Sequence, residues 1–449
     1  MNTSIGRARR VLACALTALA LAASATAQQR EKENEKKNEK GYEVWLVDQS
    51  NSNGRAYGGA IHIFDGRDLE KVGSRPSPPA EVIDLSGATT ALCLSATGAA
   101  PVRPHMIVFN KANTHAALTF VATGHVVFYN AVSRAPLACL RMAPGAGGAR
   151  QAHAGWPTED DQYLLVANQN GKRFERVRTD YATNTFTYAP ADAVDLANGL
   201  TPNGLPRQAP GLRPDAAPIC PFVASNNGPA FVSLRGGGMF MVDWAATPMA
   251  IVGEYDAATV PANGCGFIEA KGWVFADGGG GTANNLDGFA VYRFPMTGYV
   301  AANPPNVPEL QMLYEDQESH DRDAHGPAVT KDARYTWIFD RGANVAEVFD
   351  SASGERVNTV DLVSPFSADP TVDLIGESPD RTFFFGSLRG PTPLSGDPHS
   401  STGSTPGLLV MKLKSGGRDM EVRGLVPISN VDATGIERAD AHGIRVRVR

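Results

Sequence analysis

The chain has 449 residues, with 41 basic side chains against 47 acidic ones and a formal net charge of −6. Nucleic acid and anionic membrane surfaces both demand a basic face, so this balance argues against either as a partner. Glycine and proline are frequent, at 46 and 31 residues, and no long helical periodicity runs through the chain.

Residues 1–27 have the form of an export signal. Arg7, Arg9 and Arg10 make a positive end, Val11 to Ala23 is an apolar run too short to span comfortably, and Ala25-Thr26-Ala27 is a small-residue cleavage site before Gln28. Cys14 lies inside the apolar run, which argues against a lipid anchor. Three arginines and no acids leave with the signal, which takes the net charge from −6 to −9. Residues 28–42 follow as a charged, disordered tether, since REKENEKKNEKG mixes both signs without one apolar side chain. No later stretch is long and apolar enough for a membrane helix. The expectation is an exported protein, in a periplasm or outside the cell, without membrane insertion.

Residues 43–449 read as one large all-β domain. Strand signals recur as EVWLV, AIHIF, TFVAT, HVVFY, YLLVA, MFMVD, GWVFA, TWIFD, TFFFG and LLVMKL, rich in β-branched and aromatic residues and separated by turn residues. A longer pattern is laid over them. His105, His153, Cys220, Cys265, His325 and His442 each open the same kind of segment, and Asp373 opens a seventh. HAGWPTEDDQYLLVANQ, CPFVASNNGPAFVSLRG, HGPAVTKDARYTWIFDRG and DLIGESPDRTFFFGSLRG show the form: strand, polar turn, apolar strand, then a Gly- or Asn-bearing loop. Seven positions after the opener stand Asp160, Asn227, Asp332 and Asp380. A recurrence of this kind signals a repeat architecture with equivalent positions on equivalent surfaces. NGLTPNGLPRQAPGLRPDAAP and RGPTPLSGDPHSSTGSTPG are insertions on repeats, not linkers.

The first strand after the tether, EVWLVDQSNSNG, matches the second strand of the other units and lacks an opener. HGIRVRV, from His442, supplies the missing strand at the far end of the chain. The spacing therefore predicts a seven-bladed β-propeller whose first blade is closed by the C-terminal strand, which hides the sheet edges. Arg445, Arg447 and Arg449 are at odds with an innermost strand unless they reach acids or solvent in the channel.

HG followed by a strand, an SPD-like turn, a second strand and an Asn-bearing loop resembles the YVTN and lactonase-like seven-bladed propellers of exported bacterial proteins. HGPAVTKDARYTWIFDRG and GESPDRTFFFGS carry the likeness. It covers most of residues 43–449 and specifies fold far better than activity. The family includes sugar lactonases and propeller subunits of periplasmic amine dehydrogenases. Blades four and five depart from it by using Cys where the family more often has His.

In a propeller the openers line one mouth of the central channel, and the loops between second and third strands return to the same face. The inner set is then His442, His105, His153, Cys220, Cys265, His325 and Asp373. An outer set is Asp48, Asn168, Asn170, Arg235, Asp277, Arg341 and Arg389. Imidazoles with thiolates suit copper, zinc or iron. His442, His105 and His153 come from adjacent blades and make a three-histidine site with an open position, which His325 or Cys220 could complete. The leading expectation is a periplasmic metalloprotein, copper ahead of iron or zinc, acting as an oxidoreductase on a small molecule or with a periplasmic protein partner. Two others stand beside it: a non-catalytic scaffold propeller whose histidines are structural, and a lactonase-like hydrolase. Export favours disulfides, Cys220 with Cys265 and Cys93 with Cys139, although a thiolate role for Cys220 or Cys265 stays open. The acidic run EDQESHDRDAH, with Asp323 among its acids, reads as a solvated crossover loop that would make the mouth attractive to cations, and the Gly-rich DGGGGTANNLDG lies between two strands without the helix a phosphate cradle requires. No G-x-S-x-G elbow or H-E-x-x-H motif is present.

Overall fold

The computed structural model describes residues 41–260, 264–279, 288–300, 307–316, 322–394 and 402–449. The expected export signal, most of the expected tether, and parts of the acidic run, the Gly-rich run and the second insertion lie outside the described residues. From Tyr42 to Val448 the chain forms seven antiparallel sheets, six of four strands and one with a fifth. The innermost strands of blades one to seven are Ala441–Val448, Pro104–Phe109, Ala152–Pro157, Pro218–Phe222, Phe267–Ala270, Ala324–Val329 and Val372–Glu377. Those of blades seven, one, two, three and four pack on one another in that order, as do those of five, six and seven. A Cys220–Cys265 disulfide, with Cα atoms 5.1 Å apart, joins blade four to blade five.

The ring closes as the termini suggested. Ala441–Val448 pairs antiparallel with Tyr42–Asp48, so the C-terminal strand is the innermost of blade one. Second strands such as Tyr335–Asp340, Phe383–Leu388 and His115–Phe120 are buried along their whole length. Each sheet lies between two others, so both faces are packed and the strand reads as a continuous apolar run. The first hairpin of each repeat is built by the residues that marked its register. Asp160, Asp332 and Asp380 accept from Thr158, Thr330 and Ser378, and the next residues, Asp161, Ala333 and Arg381, have φ of 57°, 53° and 52°. In blade four Asn227 itself takes the left-handed conformation, at φ 56°, one that Asn and Asp tolerate better than most residues.

Six openers sit at a β-bulge. His442 and Gly443 oppose Val47, His105 and Met106 oppose Thr119, and Asp373 and Leu374 oppose Ser387. The same irregularity falls at His153, at Ile219 with Cys220, and at His325 with Gly326. Two residues facing one disrupt the ladder and re-aim a side chain, here toward the axis. The glycine after His325 and His442 has a steric reason. A Cβ at Gly326 would meet the Asp373 carbonyl, and one at Gly443 the His105 carbonyl, each belonging to the opener of the next blade.

One element was not anticipated. Between blades one and two a helix, α1 (Ala88–Thr97), carries Cys93, which is bonded to Cys139 on the outermost strand of blade two. Its apolar residues lack a clean period, and it ends at Gly98, which has φ 72°. Gly326 combines φ 65° with no room for a methyl group, so Gly326→Ala is expected to lower stability by about 1–3 kcal/mol. The midpoint of urea unfolding at constant m measures this.

Candidate functional site at the channel mouth

The bulges bring the openers together. His153 and His105 have ring centroids 4.5 Å apart, His105 and His442 3.7 Å, and His442 and His325 5.7 Å. Asp373 continues the arc, with its Oδ1 3.0 Å from His325 Nδ1 and its Oδ2 3.6 Å from His442 Nε2. All five side chains are buried. Donor atoms of His325, Asp373 and His442 lie within 4.8 Å of one another, and so do those of His153, Cys220 and Cys265. In the second group the sulfurs are joined to each other. Cys220 therefore offers no thiolate, which corrects its expected place among the metal ligands.

Partners fix the tautomers of three histidines. Gln49 donates its amide to Asp440 Oδ2 at 3.0 Å, which turns its Oε1 toward His105 Nδ1 at 2.5 Å. His153 Nδ1 lies 2.9 Å from the Ile219 carbonyl, and His325 Nδ1 faces the Asp373 carboxylate. An oxygen that only accepts requires N–H on the facing nitrogen, so in the neutral form of each ring the lone pair is on Nε2. His105 Nε2 and His442 Nδ1 are buried without a hydrogen-bond partner. Burial lowers the pKa of His105, as do His442 and His153 beside it, to well below the usual imidazole range. Burial lowers His442 likewise, against the pull of Asp373.

The outer set divides by register. Asp48, Asn168 and Asp340 pair with the residue before the opener, and their side chains turn back to bind backbone. They accept from the N–H of Asp440 at 3.0 Å, Gln151 at 2.9 Å and Asp323 at 2.9 Å. Asp48 and Asn168 thus hold the crossover into the innermost strand, which corrects their expected place at the mouth. One residue further along, the side chain points the other way. Gln49, Gln169, Arg235, Arg341 and Arg389 occupy that position. Gln169 and Arg235 line a cavity of about 40 Å³ with His153, Asp323, His325 and Arg341.

Arg341 and Arg389 build the electrostatics. Arg341 bridges Asp323 at 2.6 Å and Asp373 at 2.9 Å, and Arg389 bridges Asp373 at 2.8 Å and Asp440 at 2.6 Å. With Gln49 this forms one buried chain of contacts, Asp323–Arg341–Asp373–Arg389–Asp440–Gln49–His105, across blades six, seven, one and two. Burial alone would raise the Asp373 pKa, but His442, Arg341, His325 and Arg389 together hold it well below the carboxylate range. Asp277 is a different case. It lies between the innermost strands of blades five and six, where Gly266 N–H donates to its Oδ1 at 3.0 Å and its Oδ2 has no partner. Burial raises its pKa, only partly offset by His325 and Arg341.

Asp440, Gln49 and Gln169 were not singled out from sequence, and Asp323 only as one acid of a solvated run. A signal was present: Asp-Ala-His occurs at 323–325 and again at 440–442, and Gln follows the second strand as Asp48-Gln49 and Asn168-Gln169. His115 and His125 are pinned to Asn184 and Thr97 away from the channel, in keeping with strand positions outside the opener register.

No family model matches this chain, and no curated protein matches it. Among solved structures it is similar to a protein from Lactobacillus plantarum, at 10% identity and TM-score 0.56 over 90% of this chain and 99% of that one. It is also similar to a periplasmic gluconolactonase of Pseudomonas aeruginosa, at 14% identity and TM-score 0.55 over 91% and 100%. At these identities the likeness is one of fold.

Two outcomes follow from the buried charges. The unfolded chain takes up protons on its histidines below about pH 6.5 while the folded mouth resists them, so stability is whole above that pH and falls as pH drops below it. Melting temperatures from pH 8 to pH 5 should decline before carboxylates titrate. Asp373→Asn leaves Arg341 and Arg389 short of a carboxylate and should cost about 3–5 kcal/mol at pH 7. Asp277→Asn, which replaces a group already biased toward neutrality, should cost much less by the same denaturation assay.

Proposed function

We propose that the chain is an exported hydrolase that holds a divalent transition-metal ion at the channel mouth and opens small lactones. The observation that carries the reading is the histidine arrangement. Three buried imidazoles, His105, His153 and His325, are tied at Nδ1 to oxygen acceptors, as metal-ligating histidines are held by their outer neighbours. Among the described residues His105 Nε2 has no hydrogen-bond partner, and His442 Nδ1 is a second such nitrogen. Charge agrees with it: Asp323, Asp373 and Asp440 supply three carboxylates against the two guanidiniums of Arg341 and Arg389.

A bound ion would supply a water of lowered pKa and polarise a carbonyl. Arg341 and Arg389 hold Asp373, and Asp373 holds His325. Asp277, whose pKa burial raises against the opposing effect of His325, is placed to donate a proton to a leaving alkoxide. Copper was expected on imidazoles together with thiolates. With both sulfurs in a disulfide the donor set is imidazole and carboxylate, which zinc and iron suit as well. Hydrolysis is preferred to oxidation because a carboxyl of raised pKa, Asp277, and one of lowered pKa, Asp373, flank the imidazoles, and a gluconolactonase of similar fold supports the substrate class. The two disulfides agree with export.

Protein purified without affinity-tag metals should contain about one equivalent of metal and hydrolyse glucono-δ-lactone in a pH-stat assay. His105→Ala should lose both with little change in melting temperature, and Gln49→Leu should weaken metal binding about 10–100-fold. Full activity in metal-free protein would overturn the metal. A folded, metal-free, inactive wild type that is destabilised by His105→Ala would leave a scaffold propeller with structural histidines.

A further inference from the structure

The arginines of the C-terminal strand have separate fates. Arg447 pairs with Glu43 at 3.0 Å and donates to the Asn113 carbonyl at 2.8 Å. Arg445 makes no hydrogen bond and no ion pair with any described residue; its guanidinium stands 5.0 Å from the centroid of the Trp156 ring. It is partly buried, on the wall of a cavity of about 380 Å³ that occupies the channel beyond the histidines. Arg445 is three residues past His442 on the same strand, or about 10 Å down the axis. Met106 and the Cys220–Cys265 disulfide line the end nearer the histidines.

Trp156, Phe222 and Phe267 form an aromatic wall, with ring centroids 5.1 Å and 5.8 Å apart in sequence and the two Phe rings stacked. Three carboxylates also line the cavity, and each is engaged. Glu377 accepts from Arg381 at 2.8 Å and the Val329 N–H at 2.7 Å, Glu269 from Ser225 at 2.6 Å and 2.7 Å, and Glu159 stands 3.5 Å from Lys111. Among the described residues Arg445 is thus the one charged side chain of the wall with neither a hydrogen bond nor an ion pair, and Glu377 acts on it only from further off. A guanidinium drawn partly out of water without a direct ion-pair contact is stabilised when an anion comes to it. Its planar fork, stacked on an aromatic face, matches a carboxylate, and a cavity of this size lies within the range of small-molecule sites.

We infer that this end of the channel binds a small organic carboxylate with a flat apolar body, its carboxylate on Arg445 and its body against Trp156, Phe222 and Phe267. The site is separate from the channel-mouth cluster and does not depend on the hydrolase reading. Isothermal titration of the EDTA-treated full chain with benzoate, phenylacetate and hexanoate, each against its primary amide, tests it. At least one acid should bind, its amide at least about tenfold more weakly. Arg445→Met should weaken the acid by a similar factor, whereas Arg445→Lys should keep part of the affinity. His105→Ala should leave it unchanged, so that loss of the metal site and loss of this one read separately. Near-UV circular dichroism of both Arg445 variants checks their fold. Absence of binding by every acid at 10 mM (roughly the weakest affinity worth calling a site), equal binding of acid and amide, or wild-type affinity in a folded Arg445→Met would each overturn it.

Discussion

Crowding at the axis governs this molecule. Innermost strands from successive blades approach so closely that the position after an opener has no space for a β-carbon where Gly326 and Gly443 stand. Strands so close cannot keep a regular ladder with their own second strands and also turn their leading side chains inward. The bulge resolves the conflict, with two residues set against one at six openers. The histidines converge because the backbone has already been deformed to admit them.

Polar groups driven to such a place must find partners, since an unpaired charge in a desolvated interior is costly. The response is a chain of contacts that crosses blade boundaries. Each of Arg341 and Arg389 spans two carboxylates, and Asp373 is shared between them. Blades six, seven, one and two are thereby cross-linked at the mouth by charge, in addition to their apolar packing. Among the described residues that face the mouth, the atoms left without a hydrogen bond are an imidazole nitrogen on His105, another on His442, one oxygen of Asp277 and the amide oxygen of Gln169. Where nearly every buried polar atom is matched, unmatched ones mark chemistry more sharply than any count of ligand-type residues.

The channel has two ends of different character. At the openers the walls are imidazole, carboxylate and guanidinium, with a cavity of about 40 Å³. Beyond the disulfide aromatic and aliphatic side chains make up much of the wall around about 380 Å³, with Arg445 and three glutamates among them. The same strands build both, three residues apart, because alternation along a strand and its position on the axis decide what each residue meets.

Sequence by itself determined the blade count, the closure by the C-terminal strand and the identity of the openers. Repeats announce themselves through turn residues such as Asp332 and Asp380, whose local hydrogen bonds need nothing from the rest of the chain. It also pointed to both disulfides: Cys220 with Cys265 because adjacent repeats place their openers side by side, and Cys93 with Cys139 as the remaining pair near blade two. What sequence did not decide was which of two neighbouring residues faces the mouth. Asp48 and Gln49, or Asn168 and Gln169, differ by one step, and a strand reverses the side chain at every step. Only the pairing of each innermost strand, with its bulge, settles that choice. The roles of Asp440 and Asp323 escaped notice for a related reason: their partners, Arg389 and Arg341, lie 51 and 18 residues away and meet them only when the ring is closed. Local order is written in local chemistry, whereas the direction of a buried side chain and its partner belong to the assembled ring.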